Sequence, residues 1–223
     1  MPSLLHLDCS PRPESVSAQI TAEFAAAWRG AHPEAPYVHR NLARTPVPHV
    51  DAAHVETVCR LETCGTRDLG EARKAGRTLA ERRSWRRSWK LIDALLAADV
   101  LLIGLPMYHF SVPSVFKAWL DRVTVPPLLI DPKTGLGPLS GTRTVVATAR
   151  GATYGDCAGG HGEDFHERYV RAAFHALGLA DDLVFLHAEM TKAGHVPWLA
   201  PFQETARGSL ERAVETARAA ARR

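Results

Sequence analysis

The chain has 223 residues, 46% of them hydrophobic, which allows one sizeable core and is too little for two ordinary domains plus a linker. A net charge of +3 without a clustered recognition motif does not point to nucleic acid, and no apolar run is long enough for a membrane-spanning helix. The four cysteines, Cys9, Cys59, Cys64 and Cys157, include no Cys-x-x-Cys, so free thiols in a reducing cytoplasm are expected, with no metal site.

Residues 4–7 are an apolar run that reads as a first strand, not as a signal peptide, because no basic region precedes it. It leads into Asp8-Cys-Ser-Pro-Arg-Pro-Glu-Ser-Val-Ser17 and then a helix over 17–28. Ser10, Ser15 and Ser17 bring three hydroxyls to a strand-to-helix turn, with Val16 between the last two. Backbone N–H groups at a helix start, aided by the helix dipole, bind phosphate well. Arg12 can add a bidentate contact. The loop has no glycine, which excludes a dinucleotide fingerprint and a Walker loop. It suits a terminal monophosphate such as that of FMN; the competing reading is ordinary N-capping by one serine.

A second strand is predicted over 37–40. Residues 41–65 read as a long loop, since Pro46 and Pro48 block a helix there. A helix over 68–97 follows, in a stretch bearing nine basic residues from Arg67 to Lys90. Trp85, Trp89, Ile92 and Leu96 recur at helical spacing, which favours a solvated basic face with these four packing inward. The other readings are a nucleic-acid footprint and a helix at a dimer interface.

The third strand, 100–104, opens onto the most informative stretch of the chain. Pro106, Met107, Tyr108, His109 and Phe110 form a turn, and a helix over 114–122 begins just after it. Open α/β sheets bind ligands at the carboxyl ends of their strands, and an aromatic turn there suits a flat, partly apolar ring. Residues 131–141 carry turn signals. The fourth strand, 144–148, runs into Ala149, Arg150, Gly151, Ala152 and Tyr154, then a glycine-rich run to 162. Backbone N–H groups of Arg150, Gly151 and Ala152 can face the electron-rich edge of such a ring, and Tyr154 can donate there; the alternative is a plain surface loop. A helix over 163–177, a strand over 183–187 and a helix over 202–221 complete the chain. This alternation predicts an α/β, doubly wound, five-stranded parallel sheet of order 2-1-3-4-5 with helices on both faces, in one flavodoxin-like domain over 1–223.

Three loops together resemble those of the FMN-dependent NAD(P)H:quinone oxidoreductases of azoreductase type. Pro106-Met-Tyr-His-Phe110 is similar to that family's ring-binding Pro-Met-Tyr-Asn-Phe, and Lys117-Ala-Trp-Leu-Asp121 to the start of its following helix. Ser10, Ser15 and Ser17 resemble its phosphate loop, and Ala149-Arg-Gly-Ala152 its Ser-Arg-Gly-Gly. The resemblance implies a homodimer that takes a hydride from NADH or NADPH onto FMN and passes two electrons to a quinone, azo compound or related small aromatic acceptor. It implies Ser10, Ser15, Val16, Ser17, Pro106, Met107, Tyr108, His109, Phe110, Ala149, Arg150, Gly151, Ala152 and Tyr154 around the cofactor. His109 stands where the family has asparagine, and its imidazole is a candidate proton donor beside Tyr154. Two other readings are a tailoring reductase for one polyketide-type quinone and a non-enzymatic electron carrier or redox sensor.

Overall fold

Five short strands, β1 (Leu4–Asp8), β2 (Tyr37–Asn41), β3 (Val100–Gly104), β4 (Arg143–Ala149) and β5 (Leu183–Ala188), pair in parallel in the order 2-1-3-4-5. The computed structural model describes residues 1–129, 131, 133–134, 137–154 and 164–223. Each crossover is helical, which is what parallel neighbours require. Helices α1 (Val16–Ala31) and α8 (Gln203–Ala220) cover one face. Helices α2 (Ala52–Cys64), α3 (Leu69–Arg73), α4 (Leu79–Leu96), α5 (Ser114–Val123), α6 (Pro126–Leu129) and α7 (Phe165–Leu177) belong to the other.

The central strands are apolar on both faces, as a doubly covered sheet demands. Leu4, Leu102, Val145 and Ala147 meet Ile20, Phe24 and Trp28 of α1 and Ala213 and Ala217 of α8. Leu5, Leu7, Leu101 and Ile103 meet Trp85 and Trp89 of α4, Phe116 and Trp119 of α5, and Phe174 of α7. Trp85 and Trp89 are therefore core residues of this chain, not an interface stripe, and the arginines between them form the solvated face.

Two expectations are corrected. Residues 41–65 are not all loop: α2 starts at Ala52, because the Asp51 carboxylate accepts from the His54 N–H, and stops at Gly65, which is left-handed (φ 60°). The helix expected over 68–97 is two helices. Asp68 caps α3, and a fresh N-cap, Thr78, accepts from the Glu81 N–H, while the Glu81 carboxylate accepts from the Arg77 N–H. Gly76 lies in the break, where a Cβ would sit 2.7 Å from the Arg82 nitrogen. Residues 155–163, including Cys157 and Glu163, lie outside the described residues.

Arg122 is fully buried. It donates to the carbonyls of Pro48 and His49, to Ser84 and Ser88, and pairs with Asp51 at 3.3 Å. These bonds satisfy a guanidinium that burial alone would destabilise, and fasten the segment before α2 onto α4 and α5.

Candidate active site

The loops leaving the carboxyl ends of β1, β3, β4 and β5 surround one cavity of about 860 Å³. At its first wall, the backbone N–H of Cys9 donates to the Gly104 carbonyl, which fixes the start of the loop after β1. Asn41 donates from its side chain to the Ser10 carbonyl. Ser10, Arg12, Glu14, Ser15 and Val16 line the cavity.

Ser15 is the N-cap residue of α1, yet its side chain caps nothing. Its Oγ lies 3.0 Å from Ser17 Oγ instead. Plain N-capping is therefore not what this serine does, and the first-turn N–H groups keep the vacant donors inherent to a helix start. Ser17 is fully buried and does not line the cavity; it holds Ser15 in place.

The second wall is the turn after β3. Leu105 and Met107 donate to the carbonyls of Ala147 and Ala149, so the β3–β4 ladder continues past the strands. Tyr108 and Ser111 then exchange two backbone hydrogen bonds, with His109 (φ 48°) and Phe110 (φ 66°) between them. Two successive left-handed residues closed by such a pair make a type I′ turn. Tyr108, His109 and Phe110 are exposed and line the cavity with Pro106 and Met107.

The third wall holds Ala149, Gly151, Ala152 and Tyr154. Arg150 corrects the expectation. Its N–H donates to the Ala188 carbonyl, and its buried guanidinium faces away from the cavity to Asp164 (3.0 Å), Glu167 (3.1 Å) and Glu189 (3.7 Å). The cluster extends further, because His187 bridges Glu167 Oε2 (3.0 Å) and Thr148 Oγ1 (2.8 Å). The His187 hydrogen bond and the Arg171 guanidinium hold the Glu167 carboxyl down at about 2, against the opposing effect of burial. Burial and the Arg150 charge lower the nearby His166 to about 4. Arg150 thus braces the loop from beneath.

A fourth wall lies outside the sequence motifs. Thr191, Lys192, His195, Val196, Trp198 and Leu199 come from the segment after β5, tied down by Thr191, whose N–H and hydroxyl both donate to the Arg150 carbonyl. The Lys192 stem lies over Gly151, where a Cβ would approach its Cδ and Cε to 2.9 Å. Trp198 is 78% exposed at the rim. The signal available in the sequence was a tryptophan beside a proline after the last strand, which has no periodicity to announce it.

A family model described as flavodoxin-like fold matches residues 2–206. Over 218 residues the chain is 42% identical to a protein named FMN-dependent NADH:quinone oxidoreductase from Nocardia farcinica (strain IFM 10152), an alignment covering 98% of this chain and 97% of that one. The chain belongs to the FMN-dependent NADH:quinone oxidoreductase family. A family member of that name from Azotobacter vinelandii (strain DJ / ATCC BAA-1303) is 40% identical over 199 residues, 87% of this chain and 90% of its own. The fold is also that of an azoreductase from Bacillus anthracis str. Sterne, with a TM-score of 0.79 at 20% identity over 100% of this chain and 99% of that one. Histidine is among the residues that tolerate a left-handed backbone best, so His109 suits its place in the turn.

Proposed function

We propose that the chain is an FMN-dependent reductase that takes a hydride from NADH or NADPH and delivers two electrons to quinones, azo compounds or related aromatic acceptors, donor and acceptor using the cavity in turn. The observation that carries this reading is the pairing, in one cavity, of a helix start whose N-cap serine leaves the first-turn N–H groups uncapped with an aromatic turn on the neighbouring strand. The first end suits a phosphate and the second a flat ring. Bound FMN supplies the hydride and two-electron chemistry.

The chain's own residues bind and orient. Ser10 and Ser15, with the backbone N–H groups of Val16 and Ser17, would hold the phosphate, and Arg12 at the rim adds positive charge. Pro106, Met107, Tyr108 and Phe110 would form the ring's bed and the wall against which a planar acceptor stacks. The N–H groups of Gly151 and Ala152, with the Lys192 ammonium, would face the edge that becomes electron-rich on reduction. Ala149 continues the β4 edge beneath it. His109 and Tyr154 would supply protons to the reduced acceptor, since each carries a polar tip on the cavity wall.

The working state we infer is a homodimer in the cytoplasm. Exposed Tyr108, Phe110 and Trp198 at one rim support a covering surface, and the free thiols of Cys9, Cys59 and Cys64 suit a reducing compartment. Among the described residues no helix is long and apolar enough to cross a membrane. Steady-state NADH oxidation at several fixed benzoquinone concentrations tests the reading. Parallel double-reciprocal lines are expected; no quinone-dependent NADH oxidation by flavin-loaded protein would reject it.

A further inference from the structure

On the α1 face of the sheet, at its β1–β2 edge, three ligand-type side chains converge outside the cavity. His6 and Asp8 are two residues apart on β1 and so point to the same face. His39 is the register partner of His6 on β2. His6 Nε2 lies 3.4 Å from Asp8 Oδ1, and His39 Nε2 lies 2.8 Å from Asp8 Oδ2. The three ligand atoms all fall within 4.8 Å of one another. The two imidazoles stack with centroids 4.3 Å apart.

His6 carries the decisive detail. It is 3% exposed, and its Nε2 has no hydrogen-bond partner, although it aims at the carboxylate. Its other nitrogen, Nδ1, is 2.9 Å from the Tyr37 hydroxyl. With Nδ1–H donating to that oxygen, Nε2 keeps its lone pair for an ion; with the opposite tautomer its N–H faces Asp8 Oδ1 at 3.4 Å without completing a hydrogen bond, a contact that an ion can replace. A ring nitrogen held by an outer partner while the other faces a carboxylate is the arrangement metal sites use to fix a histidine ligand. Asp8 is held as well, since Thr21 Oγ1 donates to Oδ1 at 3.1 Å.

We infer that His6, Asp8 and His39 form a binding site for a divalent transition-metal ion of zinc type. Metal–ligand distances of about 2.0–2.2 Å place tetrahedral ligand atoms about 3.3 Å apart, close to the His6–Asp8 spacing. His39 exchanges its hydrogen bond to Asp8 for the ion, and its other ring nitrogen takes the proton in water, because that side chain is 44% exposed. Two imidazoles and one carboxylate favour zinc, nickel or cobalt over calcium or magnesium. The remaining position opens to solvent on the His39 side. A bound ion would pin the edge strand β2 to β1, one residue before the loop that begins at Cys9.

Zinc chloride titrated into chelator-stripped, full-length protein against a chromophoric chelator tests this, with neither flavin nor turnover needed for the readout. The wild type should take up one zinc ion tightly, and His39→Ala should bind it at least about tenfold more weakly. The Cys59→Ser/Cys64→Ser double variant should bind like the wild type, which separates this site from the exposed thiols. Zinc should also raise the melting temperature of the wild type more than that of His39→Ala. His39 is exposed on an edge strand, so its removal leaves the core intact. No zinc uptake by the wild type, or undiminished uptake by His39→Ala, would overturn the inference.

Discussion

Tyr108 and Ser111 close a two-residue turn on each other, the Tyr108 N–H donating to the Ser111 carbonyl at 2.9 Å and the Ser111 N–H returning the bond at 3.0 Å. The cost falls on His109 and Phe110, both left-handed. For a bulky residue such as Phe110 that backbone is an outlier, and strain of this kind concentrates at functional turns. Asparagine at 109 should keep the turn, with stability within about 0.5 kcal/mol of the parent or above it. Valine at 110, stiff at its branch, should cost about 1–2 kcal/mol by urea unfolding. An equally stable Phe110→Val would mean that the turn does not have this geometry.

The same His109→Asn variant separates structure from chemistry. If the imidazole supplies a proton to the acceptor, anaerobic reduction of the loaded protein by NADH should proceed at the parent rate. Reoxidation by quinone should slow by about a hundredfold, the lower end of general acid effects. Stopped-flow traces of the two half-reactions decide it; equal reoxidation rates across pH would remove His109 from proton transfer.

Gly104 has a different reason to be glycine. It is the register partner of Asp8, and a Cβ there would come within 2.4 Å of Asp8 Oδ1. Asp8 is held by Thr21 and His39 and cannot withdraw freely. Gly104→Ala should therefore destabilise by about 2–3 kcal/mol, as overpacking in a tight interior does. A chemical denaturation midpoint unchanged from the parent would contradict this packing.

Gly151 contrasts with it. There the obstructing atoms belong to the flexible end of Lys192, so the alanine variant should fold normally. It should lose FMN affinity several-fold by displacing the ammonium, and Lys192→Met should show the same loss. Fluorescence titration with FMN reads both; unaltered affinity in both variants would remove Lys192 from the cofactor's surroundings.

Acid sensitivity follows from Glu167 and His166. Glu167 falls from an ordinary value of 4.5 to about 2 in the folded chain. A depressed carboxylate contributes stability above its unfolded value, and that contribution is lost as pH drops from about 4.5 toward 2; it amounts to at most about 3 kcal/mol. His166 falls from 6.5 to about 4, so the unfolded chain binds its proton first, and stability declines as pH drops from 6.5 through 4. Unfolding free energy should therefore fall steadily below pH 6.5, and His166→Phe should flatten the first part of the decline. A flat profile between pH 6.5 and 4 in the parent would contradict the burial of a neutral imidazole.

Sheet order and the loops after β1 and β3 were readable because period and position agree: apolar runs alternate with amphipathic helices, and the site motifs sit at strand ends. The misreadings have physical causes. Pro46 and Pro48 correctly forbid a helix at their own positions, but Asp51 to His54 restarts one three residues later, an N-cap masked by weak apolar periodicity. Thr78 and Glu81 form a capping box inside a basic run whose arginines suit a helix throughout, so the break leaves no mark on the periodicity. The Arg150 N–H is expected at the ring edge from its place after β4, whereas it bonds the Ala188 carbonyl, and the carboxylate partners of its side chain, Asp164, Glu167 and Glu189, are distant in sequence. The convergence of His6, Asp8 and His39 likewise depends on strand register, which no spacing within the chain reveals.

The most direct test of the central claim is a visible absorption spectrum of protein mixed with FMN and freed of excess, recorded before and after anaerobic NADH and then after benzoquinone. One retained equivalent of yellow flavin, bleached by NADH and restored by the quinone, is the predicted result. Protein that emerges colourless, or retains flavin that NADH cannot bleach, would contradict it.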